Sequence, residues 1–176
     1  MPEGFVNFFI SPCLQAPEIS GRLGLMAYPI EPLITKKVDP FGEAYYTVRW
    51  SPLTEVDKYT IIKNVPAVAG LFELYYKDGR GKLIRFYMAR VWIGGLRSTL
   101  RRLTDPSLIE DEKWKDILEQ KTCYFRYAQC NSYKDLTDVL YFFSETFYPN
   151  ENKTYNSERY TGIYVDEISP DKIVDI

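Results

Sequence analysis

Residues 65–103, VPAVAGLFELYYKDGRGKLIRFYMARVWIGGLRSTLRRL, restrict the possible folds more than any other stretch of the chain. AGLFELYYK at residues 69–77 and LIRFYMARVWI at residues 83–93 are rich in aromatic and β-branched residues, and the polar, glycine-containing KDGRGK separates them. That pattern predicts an antiparallel hairpin. Gly94 and Gly95 break the second strand, and Leu96, Leu100 and Leu103 then recur at helical spacing with Arg97, Arg101 and Arg102 between them. A short basic helix is therefore expected to follow the hairpin.

Downstream, Asp105-Pro106 stops this helix. Residues 107–120 can form a second helix on Leu108, Ile109, Ile117 and Leu118, and CYFRYA at residues 123–128 reads as a third strand. After the turn-forming Asn131-Ser132, the segment YKDLTDVLYFFSETFYP carries Leu136, Val139, Leu140, Phe143 and Phe147 at helical spacing and is the longest helix candidate. Pro149 ends it, and a polar loop leads to a last strand at residues 161–168. Upstream, residues 1–64 are rich in proline and turn signals, with one clear strand at residues 43–50 after DPFG. The expected organisation is an amino-terminal extension (1–64) packed on a main domain (65–152), then a tail (153–176) with an edge strand. The expected class is α/β, with a small antiparallel or mixed three-stranded sheet flanked by helices.

Composition removes several chemistries. The 176 residues contain no histidine, so a Ser-His-Asp triad, a Cys-His pair and a histidine-ligated metal cannot be built within the chain. Cys13, Cys123 and Cys130 lack C-x-x-C spacing and read as reduced, structural thiols. The net charge is −2 and the sequence pI about 5.3, so any nucleic-acid site must be a local basic patch. Fifteen tyrosines suit base stacking, but most alternate within strand-like runs, where aromatics favour the pleated surface. The first residues, MPEGFVNFFISPCL, carry an acidic residue where a secretion signal needs positive charge, and no apolar run approaches a membrane span. The expectation is an intracellular protein without membrane partners.

The order strand, strand, basic helix, helix, strand, helix resembles the core of GIY-YIG nucleases. In that family the first strand bears glycine, an aliphatic residue and tyrosine, and the second ends in tyrosine, an aliphatic residue and glycine. The matching triplets here are Gly70-Leu71-Phe72 and Trp92-Ile93-Gly94, with Val65-Pro66 resembling the family's entry into the first strand. The family's catalytic arginine lies ten residues after the second tyrosine and directly before a leucine, which falls on Arg102 and Leu103. Pro149 and Asn152 match the spacing of the closing proline and asparagine, and the family's metal-binding glutamate falls on Leu140.

The resemblance implies one divalent metal, usually magnesium, held by that glutamate, with tyrosine hydroxyls positioning or deprotonating water and arginine stabilising phosphate charge. Phe72 has no hydroxyl, Trp92 has only an N–H donor, and Leu140 supplies no oxygen ligand. Asp138 and Glu145 are rotated by roughly 160° and 140° from the Leu140 face and read as solvated helix residues, with Glu73 and Glu145 as outside candidates should the alignment slip. No residue is therefore a confident catalytic or metal-binding assignment, and Phe72, Trp92, Arg102, Leu140 and Asn152 stand as the family-matching positions. Arg90, Arg97, Arg101 and Arg102 form a basic stripe, read either as a solvated face or as a grip on nucleic-acid backbone. A literal GIY at residues 162–164 has no YIG partner and reads as part of an edge strand. Gly79-Arg80-Gly81 lacks the spacing of a phosphate loop. The expected function is a non-catalytic module, without a cofactor, contacting a protein partner or nucleic-acid backbone. The alternative is an active magnesium-dependent endonuclease using other residues.

Overall fold

The computed structural model describes residues 31–147 and 154–171. In chain order the elements are β1 Ile34–Val38, β2 Glu43–Arg49, β3 Thr54–Glu55, α1 Lys58–Asn64, β4 Gly70–Lys77, β5 Leu83–Val91, α2 Gly95–Leu103, a 3-10 turn Pro106–Leu108, α3 Glu112–Gln120, β6 Cys123–Gln129, α4 Tyr133–Phe147 and β7 Gly162–Ile168. They form a mixed α/β arrangement with two sheets. One is antiparallel, in the order β3-β6-β4-β5; the other, β1-β2-β7, pairs β7 parallel to β2. The single three-stranded sheet expected from sequence is thus replaced by two sheets of three and four strands.

The hairpin forms where its pattern places it. The Asp78 carboxylate accepts from the backbone N–H groups of Arg80 and Lys82 at 2.8 and 2.9 Å and so builds the turn within KDGRGK. The central strand β4 is covered on both faces, which explains why GLFELYY is apolar almost throughout. On one face Phe72 and Leu74 join Ile61 and Val65 at the end of α1, Leu96 and Leu100 of α2, and Phe125 of β6. On the other, Leu71 and Ala128 meet Leu136, Val139 and Phe143 of α4 together with Ala44, Tyr46 and Val48 of β2. Each large side chain so buried contributes about 1.5–3 kcal/mol.

Two glycines are fixed by close approach. A Cβ on Gly70 would strike the Ala128 carbonyl and come within 2.7 Å of Leu96 Cδ1. Gly95 combines φ +73° with backbone contact to Ala67, and this turn starts α2. The first N–H groups of α2 are satisfied from the preceding loop, Leu96 donating to Val68 O at 2.8 Å and Arg97 to Pro66 O at 3.3 Å.

Other expectations shift. The second helix begins at Glu112, not Ser107, because Asp111 caps it through Trp114 N and the 3-10 turn occupies residues 106–108. The segment read as an extension supplies β1, β2, β3 and α1, and residues from Glu31 onward cluster as one compact unit. The literal GIY opens β7, an edge strand. Cys123 and Cys130 are free, buried thiols; burial pushes Cys123 up to about 11, while Cys13 lies outside the described residues. Among the described residues no helix is long and apolar enough to cross a membrane.

Candidate functional site

Three of the family-matching positions converge. Phe72, buried in β4, forms the base of a hollow of about 250 Å³ whose walls include Tyr87 of β5, Trp92 just past it, and Thr99, Arg102 and Leu103 of α2. Arg102 reaches it because α2 packs its leucines on the sheet and turns the residue beside Leu103 toward the rim. Trp92 is 44% exposed and Ile93 89%, so the chain presents two consecutive large apolar residues at the lip. The Trp92 ring meets Tyr133 edge-on, with centroids 5.7 Å apart.

Leu140 does not join them. It packs in the core on the opposite face of the four-stranded sheet, with α4. Asn152 lies outside the described residues. No carboxylate lines the hollow, and among the described residues no group of three or more His, Cys, Asp or Glu could hold a metal. Tyr87, which the sequence reading passed over, brings a hydroxyl-bearing ring to the wall, packed on Phe72 and Trp114 at 5.9 and 4.6 Å between centroids.

The basic stripe divides. Arg90 turns to α4, donating to Thr137 Oγ1 and Tyr133 OH at 3.0 Å each and lying over the Tyr133 ring. Arg97 donates from Nε to Val65 O at 2.7 Å. Arg101 and Arg102 are exposed and make no ion pair among the described residues. They line a second, larger hollow of about 540 Å³ beside Lys58, with Arg102 on the ridge between the two.

Glu73 is a structural group. Fully buried, it accepts from Arg85 Nη1 at 2.7 Å, from Tyr75 OH at 2.5 Å and from Arg126 Nε. Arg126 continues to Glu167 of β7 at 2.9 Å, and Trp50 Nε1 donates to the same carboxylate. Burial and the neighbouring Glu73 charge push the Tyr75 hydroxyl well above its usual range. The network ties the two sheets together.

Asp138 corrects the sequence reading: it is fully buried, not solvated. It accepts from Ser157 N and Oγ at 2.6 and 2.8 Å, from Arg159 Nη2 at 2.6 Å and from Tyr46 OH at 3.0 Å. One turn earlier Asp135 receives Lys36 Nζ at 2.8 Å and the same Arg159 at 2.6 Å. Glu158, between Ser157 and Arg159, adopts φ +57°, so that both neighbours reach Asp138. The three-stranded sheet and this loop cover the face of α4 that a lone domain would leave in water. Glu145 is exposed on α4, as the sequence suggested.

The family model described as "Uncharacterised protein" matches residues 33–176. The chain belongs to that family. The match takes in every strand and helix described above, from β1 to β7, and so spans both sheets and both hollows. No curated protein and no solved structure matches the chain.

Proposed function

We propose that this chain is a non-catalytic binding module on a degenerate scaffold of GIY-YIG type, and that it docks a protein partner at the tip formed by Trp92 and Ile93. The carrying observation is their exposure at the lip of a hollow with Arg102 beside it. An isoleucine at 89% exposure next to a half-exposed tryptophan is costly in water and gains about 1.5–3 kcal/mol per residue on burial, and tryptophan with arginine is a common interface anchor. The element order and the convergence of Phe72, Trp92 and Arg102 support the scaffold reading; the place of Leu140 on the other face weighs against a surviving metal site.

Phe72 cannot accept a proton, Trp92 can only donate, and no carboxylate stands in the hollow to ligate magnesium or serve as a base. A nucleic-acid reading is favoured by one observation, the exposed adjacent cations Arg101 and Arg102, whose contact would be non-specific and salt-sensitive.

A photo-crosslinking residue at Ile93, with one at exposed Tyr59 on α1 as control, tests the docking tip in native cells. A discrete adduct from position 93 alone, lost on Trp92→Ala, is the expected result; adducts equal at both positions would sink the assignment. Magnesium-dependent cleavage of plasmid, branched DNA or RNA, lost in Arg102→Ala, would establish the nuclease alternative instead.

A further inference from the structure

The larger hollow is separate from the docking tip and chemically different from it. It lies where the start of α1 faces the last turn of α2, and its volume, about 540 Å³, falls in the range that holds a small molecule. Lys58, Arg101 and Arg102 bring three cations to it, with the Ser98 hydroxyl, while Val56 and Leu108 supply apolar wall.

Two carboxylates also line it, and both are directed at their own backbone. Asp57 accepts from Thr60 N at 2.7 Å, capping α1, and Asp105 accepts from Ser107 N and Oγ at 3.0 and 2.6 Å. Those hydrogen bonds hold each carboxyl below its ordinary range, helped at Asp105 by the charges of Lys58 and Arg101. Neither lies within ion-pair distance of the three cations among the described residues, although Lys58 and Arg101 act on Asp105 through space; the cations outnumber the two carboxylates and leave the hollow a net positive charge. Three cations around one hydroxyl suit a dianion with several acceptor oxygens, and the apolar wall suits a body attached to it.

We propose that this hollow binds a phosphate monoester with an apolar or planar body, of about the size of a nucleoside monophosphate. The phosphate sits among Lys58, Arg101 and Arg102, and the body lies against Val56 and Leu108. Because Arg102 borders both hollows, a ligand here draws on a cation that also flanks the docking tip.

Amide NMR titration of the whole chain with AMP and with phenyl phosphate tests this. Saturable shifts centred on Lys58, Ser98 and Thr104, with Kd below about 1 mM, no such shifts with adenosine, and weaker binding of the singly charged cyclic AMP are expected. Lys58→Glu and Arg101→Glu, both at exposed positions, should each weaken AMP binding by at least about tenfold while leaving the remaining spectrum unchanged. Absence of saturable shifts with both probes overturns the proposal, as does AMP binding that ignores both variants. Inorganic sulfate binding as tightly as AMP would show that the body makes no contact and would also overturn it. An oligonucleotide lacking terminal phosphates that gives the same shifts more tightly would assign the hollow to nucleic-acid backbone and overturn the monoester proposal. Since neither variant touches Trp92 or Ile93, these outcomes are independent of the crosslinking result.

Discussion

Glu73 shows how one buried charge can govern a fold. Its carboxylate is the acceptor for Arg85, Arg126 and Tyr75, so Glu73→Gln removes the buried negative charge that both guanidinium groups share, leaving Arg126 with Glu167. Breaking a buried pair from one side typically costs several kcal/mol, whereas replacing the whole set with apolar groups costs far less. We expect Glu73→Gln to lower unfolding free energy in urea by about 3 kcal/mol. Gly70→Ala should cost about 1–3 kcal/mol in the same measurement, because its Cβ meets the β6 backbone and not merely a flexible side chain. The Glu73 pair was legible in principle. A glutamate inside GLFELYY and an arginine inside CYFRYA each interrupt a strand's apolar run, and the two stand directly opposite in the β4–β6 register. Asp138 was not legible in this way, because its burial comes from residues of β2 and of the loop after α4, distant in sequence.

At the level of elements, hydrophobic period and turn chemistry located the hairpin, α2, β6, α4 and β7. The missed elements share a physical cause. β1, ITKKV, is short and carries adjacent lysines; β3 has two residues; α1 has seven, too few to show a stripe, although Asp57 caps it. α4 was read as having one solvated face because the second sheet was not foreseen. That packing has a pH consequence. Burial acts to raise the Asp135 carboxyl, but the bonds from Lys36, Arg159, Tyr46 and Ser132 outweigh it, so its folded value lies below the ordinary 3.8. The tie of α4 to β1 and the loop is therefore fully present above that ordinary value and is lost as pH falls through the lower folded one. Thermal melts stepped from about pH 7 to about pH 2 should show this acid loss, and Asp135→Asn should flatten it. In α2, Arg101 and Arg102 also complement the negative end of the helix dipole, so charge reversal there costs about 0.5 kcal/mol each whatever they bind.

Among the described residues an apolar tip at Trp92 and Ile93 lies beside a hollow lined by Lys58, Arg101 and Arg102, and stability and binding should separate there. Ile93→Asp is expected to abolish co-purification of the crosslinked partner from native cells without lowering the melting temperature, since the side chain contributes almost nothing to the core. Any nucleic-acid binding should weaken steeply with salt and fall further in Arg101→Glu/Arg102→Glu, read by fluorescence anisotropy at two salt concentrations. The convergence of Phe72, Trp92 and Arg102 followed from register counted along the hairpin and helix, which local rules capture; the second hollow did not, because Val56, Asp57 and Lys58 come from before that stretch and Asp105, Pro106 and Leu108 from after it.

The parallel pairing of β7 with β2 sets an order of events during synthesis. Glu43 must find Gly162 and Arg49 must find Ile168, so the sheet begun by β1 and β2 stays open until β7, more than a hundred residues later, has been made. Until then β2 offers a bare edge, and Trp50 and Arg126 lack the carboxylate of Glu167. Long-range pairing of this kind slows folding and prolongs exposure of a sticky strand. A nascent chain halted before β7 is therefore expected to aggregate more readily than the full chain, because β2 is left with an unpaired edge.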